Sequence, residues 1–141
     1  MVRWLTGLQP FGALCMRLVL GIAMFLHGWG KVAPLGGIHS HDLFSGMDHF
    51  AHYVTTLGLP HWLGYVSALT EFLGGFLLIV GLFTRFAAFM VAVNMLVALL
   101  FVCIHQGYHG SEYVLALIAL ALMILFHGPG SPALDRRLNL A

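Results

Sequence analysis

The sequence predicts an all-α, integral membrane four-helix bundle with a short interfacial helix in its first outer loop. Of its 141 residues, 60% are apolar and only 8% are charged, whereas an average soluble domain carries about 25% charged residues. Four apolar segments approach the length of about 20 residues that a helix needs to cross a bilayer. This composition excludes a soluble enzyme and a disordered chain, and the net charge of +1 excludes a nucleic-acid binder.

The four predicted spans form a single transmembrane domain over residues 1–141. Gly and Pro clusters or short polar turns separate them. The predicted spans cover about 11–32, 62–83, 86–104 and 112–126, and an outer loop covers 34–61. Between Asp42 and Leu57, apolar residues recur at helical spacing, which predicts the interfacial helix. The lipid bilayer is therefore the first partner of this chain.

The basic residues predict the orientation of the bundle. Four spans place both termini and the turn between the second and third spans on one side of the membrane. That side carries Arg3, Arg85, Arg136 and Arg137, whereas the opposite side carries only Lys31. Because Lys and Arg are enriched in cytoplasmic segments, both termini are predicted to be cytoplasmic.

Each predicted span has one face of small or polar residues, and charged residues inside a bilayer normally face a bundle interior. Arg17 and Lys31 share such a face on the first span, and Glu71 lies on that of the second. On the third span this face contains Ala87, Asn94, Ala98 and His105, and on the fourth it contains Glu112, Ala116, Ala119 and Met123. We expect the four faces to converge and Arg17 to reach Glu71. Glu71 is then either a structural partner of Arg17 or a carboxylate that handles protons or contacts quinone.

A second polar group is predicted at the outer end, where His27, Lys31, His105, His109 and Glu112 have nearly the same depth. Nine histidines is a high count for this length, and three uses of them remain open. A divalent metal would take imidazole and carboxylate ligands. The candidate metal ligands are His39, His41, Asp48, His49 and His52. Haem ligation by His27 and His105 is the second use, and a wet polar surface that hydrogen-bonds a quinone head group is the third.

Several motifs in this sequence resemble those of the DoxX family of small four-helix bacterial membrane proteins. In order along the chain they are Arg17 with Gly21, Phe25–Lys31, Leu57–Pro60, Glu71 with Gly74 and Gly75, Gly81–Arg85 and Gly128–Asp135. The resemblance implies a multi-pass protein of the bacterial inner membrane with a link to respiratory redox chemistry. It also implies quinone as a ligand and other membrane or periplasmic subunits as partners.

Three functions follow from these observations. The first is a redox-associated membrane subunit that contacts quinone and, if it is an enzyme, belongs to a quinone-linked oxidoreductase acting with partners. Its candidate quinone and proton residues are Arg17, His27, Lys31, Glu71, His105 and Glu112. The second is a non-catalytic structural or assembly subunit of a larger membrane complex. The third is a small metal-binding or transport protein.

Overall fold

A computed structural model of the protein describes residues 7–33 and 44–139, and these ranges contain helices and turns but no strand. The helices are α1 (Gln9–Val32), α2 (Ser45–Thr56), α3 (His61–Val80), α4 (Thr84–Phe101), α5 (Tyr108–His127) and α6 (Leu134–Arg137). A short 3-10 helix, Cys103–Gln106, follows α4. Helices α1, α3, α4 with its 3-10 extension, and α5 are each long and apolar enough to cross a membrane. The predicted all-α membrane bundle is confirmed.

Among the helix ends that differ from the predicted bounds, two have clear local reasons. Helix α3 ends at Val80 because Gly81 adopts a left-handed conformation, with φ of 75°, and its N–H donates to the Leu77 carbonyl. Helix α5 begins at Tyr108, a full turn before the predicted start. The Ser111 hydroxyl lies 3.0 Å from the carbonyl oxygens of both Cys103 and Gly107, which ties this polar first turn to the preceding 3-10 helix.

Helices α1 and α3 pack closely through glycines. A Cβ atom on Gly28 would lie 2.3 Å from the backbone nitrogen of Phe72, and one on Gly75 would lie 2.3 Å from that of Phe25. Small residues allow such backbone contact in membranes, where helix association depends on packing rather than on the hydrophobic effect. As a result the end of α1, with Lys31, lies beside the middle of α3, with Glu71.

The apolar core lies between α1, α4 and α5, and Leu78 of α3 also contributes to it. Helix α4 contributes Ala87, Ala88 and Ala92 to it, and α5 contributes the larger Leu117 and Ile124. The predicted interior face of α5 was wrong: Glu112, Ala116, Ala119 and Met123 are exposed. Because α4 already supplies small side chains here, α5 fills the remaining space with Leu117 and Ile124 beside the small Ala121, and its Ala116 and Ala119 face outward.

The two ends of the bundle differ in structure. At one end, which we call the tail end, the segment after α5 folds back across the bundle. The Ser131 N–H donates to the Pro10 carbonyl at 3.3 Å, and the Asp135 N–H donates to the Gly81 carbonyl at 2.9 Å. The start of α1, the α3–α4 turn and the tail therefore share one end, as four spans require. The side of the membrane that this end faces stays a prediction.

Helix α2 occupies the opposite end, which we call the α2 end. Its residues Met47, Ala51 and Val54 are buried, and a Cβ atom on Gly64 of α3 would lie 2.5 Å from the Ala51 Cα. The predicted short helix in the first outer loop is therefore present and packs directly on α3. Its predicted first residues, 42 and 43, lie outside the described ranges.

Candidate functional site

A buried ion pair joins α1 to α3 inside the bundle. Lys31 Nζ lies 2.6 Å from Glu71 Oε1, and the exposed fractions of the two side chains are 24% and 3%. The Lys31 ammonium also lies 4.1 Å from the centroid of the Phe50 ring of α2, at cation–π distance. Removal of the Lys31 charge would leave the Glu71 carboxylate in a low-dielectric environment, which is strongly unfavourable.

The two oxygens of Glu71 have different surroundings. Asn94 Nδ2 of α4 donates to Oε1 at 3.0 Å, so this oxygen receives both Lys31 and Asn94. Oε2 is buried and, within the described ranges, has no hydrogen-bond partner. A buried acceptor without a donor costs free energy. Glu71 therefore presents an acceptor that a donor group of a ligand would satisfy.

This polar cluster, which we define as Lys31, Glu71 and Asn94, lines a cavity of about 300 Å³. The volume is at the lower end of the range of about 300–1,000 Å³ that is typical of small-molecule sites. Ser67 and Thr70 are further polar residues of the wall. The apolar part of the cavity wall comes from three helices, α2, α3 and α4, and from the loop that follows α2. These apolar side chains are Phe50, Val54, Leu57, Leu59, Leu63, Val66, Met90, Val93, Val97, Ala98, Phe101 and Val102.

The cavity reaches the surface of the bundle between two membrane-spanning helices. Val66 of α3 and Val93 of α4 both line it, and each is 43% exposed. Both residues belong to helices that are apolar enough to lie in the hydrocarbon of a bilayer. An apolar molecule dissolved in the membrane can therefore enter sideways and place a polar group near Glu71.

The predicted pair between Arg17 and Glu71 was wrong. Arg17 Nη1 donates to the Pro129 carbonyl at 2.7 Å, and Nη2 donates to the Pro132 carbonyl at 2.8 Å. Arg17 lies nearer the tail end than Glu71, and the folded-back tail offers it acceptors there. Arg17 therefore fixes the tail, and Lys31 is the cation that pairs with Glu71.

The other predicted polar residues do not join this cluster. His27 is exposed and its Nε2 lies 3.3 Å from the Tyr113 hydroxyl of α5. Glu112 Oε1 lies 3.8 Å from His109 Nδ1, with both side chains exposed. His105 is exposed in the 3-10 helix. Of the predicted outer group, Lys31 joins the Glu71 cluster, whereas the other four residues lie apart at the surface. A shared position along the membrane normal did not bring these residues together.

The structure does not assemble the predicted metal ligands of α2. In the part of the chain that the structure describes, no three His, Cys, Asp or Glu side chains form a group that could hold a metal ion. Asp48 accepts a hydrogen bond from the Tyr65 hydroxyl instead, and the His52 ring packs edge-on against His61 with centroids 5.1 Å apart. His49 is exposed. His39 and His41 lie outside the described residues.

Asn94 is a site residue that was not among the quinone and proton candidates predicted from the sequence. It lies on the face of α4 that was predicted to point inward, and it is the one amide in the apolar segment 86–104. A lone polar residue at that depth normally has a partner inside the bundle. This single polar residue in an apolar span was therefore enough to predict Asn94 as a site residue.

A protein-family model named DoxX matches residues 12–104. A Bacillus subtilis protein named "Putative oxidoreductase CatD" is 29% identical to this chain over 116 residues, which cover 80% of this chain and 78% of that protein. An Escherichia coli protein named "Inner membrane protein YqjF" is 28% identical over 141 residues, 94% of this chain and 95% of that protein. No solved structure gives a significant match. The matched segment contains Lys31, Glu71 and Asn94 and covers most of the sequence, and this multi-pass membrane protein belongs to the DoxX family.

Proposed function

We propose that this protein is a redox-associated subunit of the bacterial inner membrane that binds a quinone or quinol in the cavity beside Glu71. The observation that carries the proposal is the lone Oε2 of Glu71, a buried acceptor in an otherwise largely apolar cavity. A quinol has the matching chemistry, because its hydroxyl group donates a hydrogen bond and its ring and tail are apolar. The lateral opening suits a ligand that is dissolved in the bilayer.

The residues of the cluster would have distinct roles toward this substrate. Lys31 and Asn94 hold Oε1 of Glu71 and so fix the orientation of the carboxylate. Oε2 then accepts the hydroxyl proton of a quinol, and a carboxylate in this position also suits transfer of that proton. The walls of α3 and α4 pack on the ring and the first part of the tail.

Electron exchange is assigned to a partner. Quinone chemistry moves two electrons as well as two protons, and a protein normally relies on a bound cofactor for such transfer. We therefore assign quinone binding and proton handling to this chain, and electron exchange to a redox protein that docks on it. The relatives named as an oxidoreductase and as an inner membrane protein support this assignment of class and location.

Photolabelling tests the proposed site. The purified protein in lipid nanodiscs is incubated with a photoreactive quinone, irradiated, digested and analysed by mass spectrometry. Labels are expected on peptides of α2, α3 and α4 that line the cavity. Ala98→Phe is expected to reduce labelling strongly, because Ala98 lines the cavity and a phenyl ring would fill it. Ala116→Phe is the matched control, because Ala116 is exposed on α5.

The labelling of the two variants either supports or contradicts the proposed quinone site. Labelling of the cavity that Ala98→Phe removes and Ala116→Phe leaves unchanged supports the proposal. Labels spread evenly over lipid-facing residues, or equal labelling of both variants, contradict it. In that case, stoichiometric purification of the chain with a large membrane complex would favour the structural or assembly role instead.

A further inference from the structure

A second recess, of about 370 Å³, lies at the tail end of the bundle and shares no lining residue with the Glu71 cavity. Three basic or titratable side chains line it: Arg85 of the first turn of α4, His127 at the end of α5, and Arg136 of α6. Pro129 and Asn139 complete the lining. Two guanidinium groups therefore share one recess, and none of its five lining residues carries a carboxylate.

The charges of this recess are not neutralised within the described ranges. Neither Arg85 nor Arg136 has an ion pair or a hydrogen bond there. The nearby Asp135 is buried, and its two oxygens accept the backbone N–H groups of Phe83 and Thr84 at 2.6 and 2.8 Å. Like charges in one recess repel each other, so an anion between the two guanidinium groups would be favoured.

The recess is held in place by the fold of the tail. Arg17 donates to the carbonyls of Pro129 and Pro132, which fixes the tail segment that carries Arg136. Gly128 adopts a left-handed φ of 94°, and a Cβ atom on it would lie 3.3 Å from Arg85 Nη2. The arginines are thus presented by an anchored segment rather than by a free terminus.

We propose that this recess binds the phosphate group of an anionic phospholipid. Guanidinium groups bind phosphate oxygens in a bidentate manner, and basic pockets at the ends of spans bind acidic head groups. Phe86 and Phe126 are next to Arg85 and His127 in the sequence and are 62% and 75% exposed. Because these rings lie on membrane-spanning helices, they offer an apolar surface for acyl chains. The proposal is independent of the quinone site.

Native mass spectrometry and lipid titration test the proposal. The detergent-purified protein is titrated with phosphatidylglycerol, with phosphatidylcholine and with inorganic phosphate. Phosphatidylglycerol is expected to bind most tightly. Arg85→Gln and Arg136→Gln should each weaken its binding about fivefold. Arg137→Gln is the matched control: Arg137 is the exposed neighbour of Arg136 and does not line the recess.

Three results would overturn the proposal. The first is equal affinity for phosphatidylcholine, and the second is inorganic phosphate binding as tightly as phosphatidylglycerol. The third is an equal loss of affinity in the Arg137 variant, which would reveal a general effect of positive charge at this end. Since the substituted side chains are exposed, the variants should fold, and the thermal stability of each without added lipid checks this directly.

Discussion

The Lys31–Glu71 pair provides a quantitative prediction about stability. Lys31→Met removes the cation and leaves the Glu71 carboxylate, 3% exposed, inside the bundle with Asn94 as its only described partner. Loss of one partner from a buried ion pair costs about 3–5 kcal/mol. Because the Lys31 side chain is 24% exposed, the expected loss is at the lower end, about 3 kcal/mol. Glu71→Gln should cost less, since a flexible lysine can extend toward the interface.

The double variant makes this prediction specific to the pair. Lys31→Met with Glu71→Gln has no buried charge left, so the two changes should couple by about 2 kcal/mol rather than add. Reversible unfolding of the purified protein in mixed micelles, followed by circular dichroism, gives the four free energies of unfolding. A double variant whose loss of stability equals the sum of the two single losses would refute the pairing.

Further changes test the helix packing and the tail. Gly28→Ala should destabilise the protein by about 1–3 kcal/mol, because its Cβ would meet the α3 backbone. Gly12→Ala, where a Cβ meets nothing within 4 Å, should instead raise stability by up to about 1 kcal/mol in the same unfolding assay. Asp135→Ala should cost about 1–2 kcal/mol, because the start of α4 loses its cap. Arg17→Met should release the tail and speed its cleavage by trypsin, whereas unchanged cleavage would contradict the anchoring role of Arg17.

The features that depend on local chemistry were predictable from the sequence. The four spans follow from apolar length. The short helix over Ser45–Thr56 follows from its amphipathic period. The interior positions of Glu71 and Asn94 follow from the cost of polar groups in a bilayer. These inferences need only one helix at a time, which is why they hold.

The partners of the polar residues could not be obtained in this way. Arg17 and Lys31 lie on the same face of α1, and the sequence contains no signal for which of them reaches Glu71. The choice depends on the vertical offset between α1 and α3, which the contacts of Gly28 and Gly75 determine. The choice depends also on the tail, because its carbonyls, and not Glu71, accept the hydrogen bonds of Arg17.

The inward face of α5 also depended on a neighbouring helix. Apolar residues lie on every face of α5, so its own sequence does not distinguish a lipid-facing surface from a core-facing one. The small residues of α4 decide which face turns inward, because they leave space for Leu117 and Ile124. The inward face of α5 is therefore determined by α4 and α5 together, and the sequence of α5 alone does not reveal it.

Whether the lone oxygen of Glu71 receives a quinol hydroxyl is tested most directly by one binding measurement. The dissociation constant of a short-chain quinol is measured for the protein in nanodiscs, with Glu71→Gln and Glu112→Gln compared. A hydrogen bond to a charged group contributes about 1.5–3 kcal/mol, so Glu71→Gln should weaken binding at least about tenfold. Glu112 is exposed on α5, and no residue of α5 lines this cavity, so its variant should bind as the unmodified protein does. Equal affinity in all three proteins would contradict the account.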